Sequence, residues 1–119
     1  MIIQDHNPTS IINNPNSIII ILCTLPDNKE FAITLIKTLL KHKLAACITL
    51  LNEVHSFYHW NNKIETATEI QLLIKTTNKL QQSVFNKIQE LHPYTIPELL
   101  TISVIATESN YLHWLCSNL

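Results

Sequence analysis

Two side chains that could bind a metal or act as a nucleophile stand far apart in this sequence. Cys23 ends the apolar run SIIIILC, and His92 precedes a proline in the stretch LHPYTIPELL. A thiolate is a soft ligand that favours Cu(I), and imidazole also binds copper. The two could instead form a nucleophile and its base, but no motif around either supports acyl transfer. Structural roles are open as well, since free cysteine is commonly buried and a protonated histidine suits a helix C-terminus.

The stretch that carries His92 is stiffer than a simple turn requires. Pro93 and Pro97 each remove a backbone donor and fix a φ angle, which favours an extended arc between them. Such an arc would point the His92 side chain in a defined direction. We predict that it places His92 beside Cys23, at the end of the first strand.

A tyrosine and a glutamate in the same stretch form a predicted pair. The Tyr94 ring would cover the edge of the sheet, where its hydroxyl needs a hydrogen-bond partner. Glu98 is the nearest acceptor along the chain. The sequence therefore predicts a Tyr94–Glu98 hydrogen bond.

A long hairpin offers further polar side chains. The dipeptide Asn61-Asn62 separates two strand-like runs, and asparagine tolerates the positive φ angles of a two-residue turn. His55 and His59 share one face, but without a third ligand they are predicted to be surface residues. Such a turn predicts three facing pairs: Trp60–Lys63, Tyr58–Glu65 and Val54–Glu69. The charged residues of the second arm are predicted to form a solvated or inter-subunit face: Lys63, Glu65, Glu69 and Lys75.

The periodicity of the chain predicts the element order β-α-β-β-α-β-α. Residues 17–25 form an unbroken apolar strand, and a helix follows with Asp27 as its N-cap. Residues 45–77 form the hairpin, Asn78 caps a second helix, and residues 98–106 form the last strand. Thr107 or Ser109 caps a final helix with four side chains predicted to face inward: Tyr111, Leu112, Trp114 and Leu115.

This order predicts an α+β fold of the ferredoxin-like, split βαβ type. Two crossovers flank a hairpin, giving one antiparallel sheet with helices on one face. We expect the first and fourth strands, which are the most continuously apolar, to occupy the centre. The arms of the hairpin, at roughly a dozen residues against a typical five or six, would protrude and offer an edge to a partner chain.

Composition excludes several classes of function. All eight basic residues are lysines and the net charge is −1, so nucleic-acid binding is not expected. The absence of arginine also excludes a phosphate cradle of the acylphosphatase type. With no glycine, the chain has none of the glycine-rich loops that bind nucleotides. No apolar run reaches the ~18 residues of a membrane span.

The chain is expected to form one domain over residues 17–119, preceded by a disordered tail over residues 1–16 with no signal-peptide pattern. Three cysteines without an export signal favour reduced thiols in the cytoplasm. Besides Cys23, the thiols of Cys47 and Cys116 are predicted to lie in the core.

An ordered set of five segments resembles the CutA divalent-cation tolerance family over residues 18–117. The segments are IIIILCTLPD, KLAACITL, FYHWNNKIETATEIQLLIKTT, HPYTIPELL and YLHWL. The resemblance implies a small cytosolic homotrimer of ferredoxin-like subunits that binds copper or other divalent cations and is not an enzyme.

The resemblance also implies metal ligands at Cys23 and His92, with a third ligand from a neighbouring subunit as an option. Leu91 stands where the family has the first of two histidines, and Asn61-Asn62 stands where it usually has Glu-Gly. An alternative is a trimeric scaffold related in form to the PII-type regulators, with small ligands in clefts between subunits. Tyr94, Glu98 and the hairpin carboxylates would then line the cleft.

Overall fold

The computed structural model describes residues 17–119, so the predicted tail over residues 1–16 lies outside the described range. Within this range the elements follow the predicted β-α-β-β-α-β-α order. The strands are β1 (Ile18–Pro26), β2 (Cys47–Trp60), β3 (Lys63–Thr77) and β4 (Leu99–Ser103). The helices are α1 (Lys29–Lys41), α2 (Gln81–Leu91, after a 3-10 turn at Asn78–Leu80) and α3 (Ser109–Ser117). The ferredoxin-like α+β fold is confirmed.

The four strands form one antiparallel sheet in the order β2-β3-β1-β4. The expectation that β4 is a central strand is therefore wrong, because β3 lies in the centre beside β1. Strand β3 has 15 residues and pairs along one edge with β1 and along the other with β2. Strand β4 has only five residues and pairs with β1 alone. Its apolar side chains do not reflect a central position.

The two faces of the sheet differ in what covers them. Alternate residues of β1, among them Ile19 and Ile21, pack into the main core with α1 and α2. Between them, Ile20 and Leu22 point to the opposite side, which we call the outer face. Their paired neighbours on β3 and β4 extend this face as an aliphatic patch: Leu73, Leu100 and Ile102.

The hairpin of β2 and β3 follows the predicted register. The three facing pairs at its tip form as expected, and both turn residues have positive φ, 51° at Asn61 and 61° at Asn62. An irregularity between Leu51 and Val54 bends β2, with Glu53 at φ 54°. The arms carry the longest dimension of the described chain to 55 Å.

Two of the helix caps differ from the predicted residues by one position. Asn28, not Asp27, caps α1 by accepting a hydrogen bond from the Phe31 N–H at 3.1 Å. Glu108 caps α3, and its carboxylate accepts from the backbone N–H groups of Asn110 and Tyr111 at 2.9 and 3.0 Å. These two bonds lower the pKa of Glu108. The prediction that Asn78 caps α2 is wrong, because Asn78 begins the 3-10 turn and α2 starts after Leu80 without a side-chain cap hydrogen bond.

Helix α3 is less buried than its apolar residues predict. Leu115 is fully buried, whereas the other three predicted inward side chains each remain more than a third exposed. Leu115 shares a cavity of about 510 Å³ with Ile20 and Lys75, so α3 lies at one end of the outer face. The core assignments for the other two thiols are wrong: Cys47 is half-buried and Cys116 exposed. No helix within residues 17–119 has the length and apolarity needed to cross a membrane.

Candidate functional site

The connector after α2 is attached to the end of β1 through the imidazole of His92. Pro93 restricts the preceding residue to extended backbone, and His92 ends the helix at φ −72° and ψ 132°. Its Nε2 lies 2.8 Å from the carbonyl oxygen of Thr24. Because a carbonyl only accepts, Nε2 carries the proton. The other ring nitrogen, Nδ1, accepts from the Tyr94 N–H at 3.0 Å. The ring is thus the neutral Nε2–H tautomer with both nitrogens engaged.

Cys23 lies next to this attachment point, as the sequence predicts. Its side chain is fully buried in the main core, and its Sγ lies 4.0 Å from the same Thr24 carbonyl oxygen that His92 contacts. Burial and, to a smaller extent, the negative charge of Glu98 raise the pKa of the Cys23 thiol to about 12. The thiol therefore keeps its proton at neutral pH.

In this arrangement the pair of Cys23 and His92 does not fit a metal ion. A ligand thiol must lose its proton, and a ligand imidazole must present a free lone pair. Here the thiol is protonated and the only lone pair of the ring accepts a backbone hydrogen bond. Across residues 17–119, no group of three or more histidine, cysteine, aspartate or glutamate side chains is placed to hold a metal.

Tyr94 finds a different carboxylate from the one predicted. Its hydroxyl donates to Oε2 of Glu69 on β3 at 2.7 Å, whereas Glu98 accepts from Gln71 at 3.4 Å. The predicted Tyr94–Glu98 bond is therefore wrong. Burial together with the Glu69 carboxylate raises the pKa of the Tyr94 hydroxyl, so it stays protonated and serves as a donor. The His92 and Tyr94 rings also pack together, with centroids 4.7 Å apart.

These contacts form one wall of a cleft of about 710 Å³ between the connector and the hairpin. Both Glu69, which is buried, and Glu98, which is exposed, line this cleft. The hairpin contributes three aromatic side chains, Phe57, Tyr58 and Trp60. Pockets of this size with apolar walls and a few convergent polar groups are typical of small-molecule sites.

Glu69 lines the cleft, as the scaffold alternative predicts for the hairpin carboxylates, but its burial and its bond to Tyr94 differ from the prediction. The sequence predicts one solvated or inter-subunit face for Glu65 and Glu69, yet Glu69 is only 6% exposed while Glu65 is exposed and lies outside the cleft lining. The two differ because Glu69 lies opposite Pro26, inside the sheet, whereas Glu65 lies beyond β1 on the free part of the hairpin. The burial of Glu69 follows from the pairing of β3 with β1. That pairing joins residues far apart in the sequence, so local patterns do not predict it.

Two other polar groups stay apart from the cleft. On the hairpin, His55 lies at 3.5 Å from the Thr68 hydroxyl, on the face opposite to Glu69. Near the far end of β3, the Lys75 ammonium contacts the Cys47 sulfur at 3.7 Å and donates to the Thr49 hydroxyl at 2.9 Å.

Comparison with known proteins places this geometry in a family. The sequence model of the CutA1 divalent ion tolerance protein family matches residues 19–118. The chain belongs to the CutA1 family. The divalent-cation tolerance protein CutA of Pectobacterium atrosepticum is 43% identical over 101 residues, which cover 85% of this chain and 91% of the relative. The resemblance inferred from the five segments is confirmed.

Solved CutA structures share the fold. The crystal structure of CutA from Xylella fastidiosa is similar with a TM-score of 0.82 and 36% identity, over 86% of this chain and 97% of that one. A structure described as the periplasmic divalent cation tolerance protein CutA from Archaeoglobus fulgidus has a TM-score of 0.81 and 32% identity, over 85% and 97%. The family is named for tolerance of divalent ions and not for a reaction.

The buried thiol predicts selective alkylation at pH 8. The thiolate is the reactive form, and a pKa of about 12 leaves roughly one Cys23 in 10,000 ionised. Iodoacetamide followed by peptide mass spectrometry should therefore modify exposed Cys116 and leave Cys23 unmodified until the protein is denatured. Since the folded pKa lies above the ordinary 9.0, Cys23 should destabilise the fold as pH rises from 9.0 towards 12. Equal labelling of both cysteines in the folded protein contradicts this burial.

The two hydrogen bonds of His92 predict a structural role that needs no metal. With a chelator present, His92→Ala should lower the free energy of unfolding by roughly 1–3 kcal/mol, because the Tyr94 N–H and the Thr24 carbonyl lose their partner. Urea titration at fixed protein concentration measures the loss. His113→Ala, at an exposed position of α3, is the matched control and should change stability little. If the two variants are equally stable, the attachment to β1 contributes nothing.

Proposed function

We propose that the protein is a cytosolic homotrimer that binds copper or other divalent cations in metal tolerance or homeostasis and catalyses no reaction. The observation that carries this proposal is membership of the CutA1 divalent ion tolerance family over residues 19–118. The relatives named for divalent-cation tolerance cover nearly the whole described domain. A cytosolic location is supported by three free cysteines, two of them not buried, because exposed thiols are typical of reducing compartments.

The outer face of the sheet supports association. Leu100 and Ile102 are 54% and 48% exposed, although each faces an aliphatic residue of β1, Leu22 and Ile20. Strand β4 also ends the sheet, so one edge of its backbone has no neighbouring strand within residues 17–119. An open strand edge beside an apolar patch is a surface that other chains pair with. The protruding hairpin supplies a matching edge on each copy.

If the subunits associate through the outer face, a charge introduced on that face should weaken the trimer more than the same charge on α1. Light scattering after gel filtration should give three times the subunit mass of 13.7 kDa. Leu100→Glu should raise the concentration for half-dissociation at least about tenfold, because it buries an unpaired charge in the apolar patch. Ile33→Glu introduces the same charge on an exposed position of α1 and should leave the mass unchanged. A Leu100→Glu protein that remains trimeric would exclude the outer face as the interface.

The metal ligands proposed from the sequence remain Cys23 and His92, with a third from a neighbouring subunit. Their support is that both side chains approach the Thr24 carbonyl, although 68 positions separate His92 from Thr24. Binding would require the thiol to lose its proton and the ring to release a hydrogen bond. The proposal therefore implies a local rearrangement of the connector.

Competition with a Cu(I) chelator tests this ligand pair. Cys23→Ser and His92→Ala should each weaken copper affinity at least about tenfold, while Cys116→Ser, which removes an exposed thiol, should not. If the first two variants bind copper as tightly as the parent, the ion is held elsewhere. Family membership would be unaffected by that result.

The cleft supports a second function, that of a scaffold binding a small ligand as PII-type regulators do. The observation in its favour is the 710 Å³ cleft, which Tyr94 and Glu98 line as the sequence predicts for such a site. A ligand-induced thermal shift that survives Cys23→Ser would favour this function. A shift that the substitution abolishes would favour the metal.

A further inference from the structure

Glu69 is a buried carboxylate without a cationic partner among residues 17–119. It is 6% exposed, and the ion pair that forms within this range is Lys87–Glu90 on α2. Oε2 accepts the Tyr94 hydroxyl, but no side chain or backbone donor of the described range reaches Oε1. Buried charges in proteins are normally paired, because leaving water costs several kcal/mol per ion. A positive charge that pairs with Glu69 would therefore come from outside the described residues of this subunit.

The free side of Glu69 faces the cleft, and no cationic side chain lines that cleft. Lys63 lies on the same face of the hairpin but pairs with Trp60 at the tip and does not reach the lining. The lining contains a second carboxylate, Glu98. A ligand with positive charge is therefore favoured over an anion.

The walls determine which kind of cation fits. Four aromatic residues line the cleft, and each keeps at least a third of its surface exposed: Phe57, Tyr58, Trp60 and Tyr94. Aromatic faces attract cations through their quadrupole, most effectively when the cation is weakly hydrated. A divalent metal ion holds its water strongly and needs several oxygen ligands, whereas this cleft offers two carboxylates among apolar walls. An alkylated ammonium ion loses little hydration and fits aromatic and proline surfaces.

We propose that the cleft between the connector and the hairpin binds a small quaternary ammonium ion, with Glu69 as its counter-charge and the aromatic side chains around its methyl groups. This inference rests on the scaffold function proposed above and names the ligand class of that site. In this site Glu69 supplies the negative charge, and the Tyr94 hydroxyl orients its carboxylate. Tyr94 holds Oε2 in place and leaves Oε1 available to the ligand.

Calorimetric titration with choline and with its uncharged carbon analogue, 3,3-dimethyl-1-butanol, tests the proposal on the full-length protein. The two molecules share shape and size and differ in charge. Choline should bind, and the analogue should bind at least about tenfold more weakly. Equal affinity for the two would overturn the proposal, and so would failure of choline to bind.

Two conservative variants assign the charge. Glu69→Gln keeps an acceptor for the Tyr94 hydroxyl and removes the charge, so choline affinity should fall at least about tenfold. Glu65→Gln removes a carboxylate from the same strand and face, outside the cleft, and should leave affinity unchanged. A Glu69→Gln protein that binds choline as the parent does overturns the assignment. Far-UV circular dichroism and subunit mass show that both variants remain folded.

A third titration with Mn²⁺ separates this inference from the functions on which it rests. Glu69-dependent binding of Mn²⁺ without choline binding would make the cleft a metal site and sink the proposal. If the uncharged analogue binds as well as choline, the scaffold function stands and the cationic specificity fails. If neither organic molecule binds, the quaternary-ammonium proposal fails, while the scaffold function is decided by the thermal-shift test and copper binding at Cys23 and His92 by its own experiment.

Discussion

The contact between the His92 imidazole and the Thr24 carbonyl is the constraint on which the candidate site depends. Pairing between β1 and β4 stops at Cys23 and Leu99, so the next carbonyl of β1 has no donor from that strand. The ring supplies this donor at 2.8 Å and so continues the sheet with a side chain. Its second nitrogen holds the Tyr94 backbone, and Tyr94 in turn reaches Glu69. A single tautomer thereby sets the position of the whole cleft wall.

This chain of contacts explains why the residues with the strongest metal chemistry are poorly presented. Imidazole and thiol are effective ligands only when a lone pair is free and the sulfur ionised. The fold uses the His92 lone pair to order the connector, and it uses Cys23 as a small apolar side chain in a central strand. Leu91, at the position of the family's other histidine, is 39% exposed and has no ligand atom. What the fold does present to solvent is aromatic surface and carboxylate.

Local chemistry made much of the fold predictable from the sequence. Asparagine at both turn positions determined the hairpin register, and with it the faces of β2 and β3. The sheet order was less predictable. An apolar strand such as β4 has the same sequence pattern whether it lies in the centre of a sheet or at an edge that contacts another subunit. The partner of Tyr94 was missed for a related reason. Glu98 is near in sequence, but Glu69 is brought close only by the pairing of β1 with β3.

The turns of this glycine-free chain carry a thermodynamic consequence of their own. Within residues 17–119, four residues other than glycine occupy the left-handed region, namely Lys43, Glu53, Asn61 and Asn62. For residues with a Cβ this conformation costs roughly 1 kcal/mol or more, and less for asparagine. At Glu53 the pairing of β2 with β3 on either side offsets that strain, whereas Asn61 and Asn62 adopt the conformation with little cost. Glycine has no Cβ and adopts positive φ without this cost, so Lys43 and Glu53 are the positions at which a glycine would relieve backbone strain.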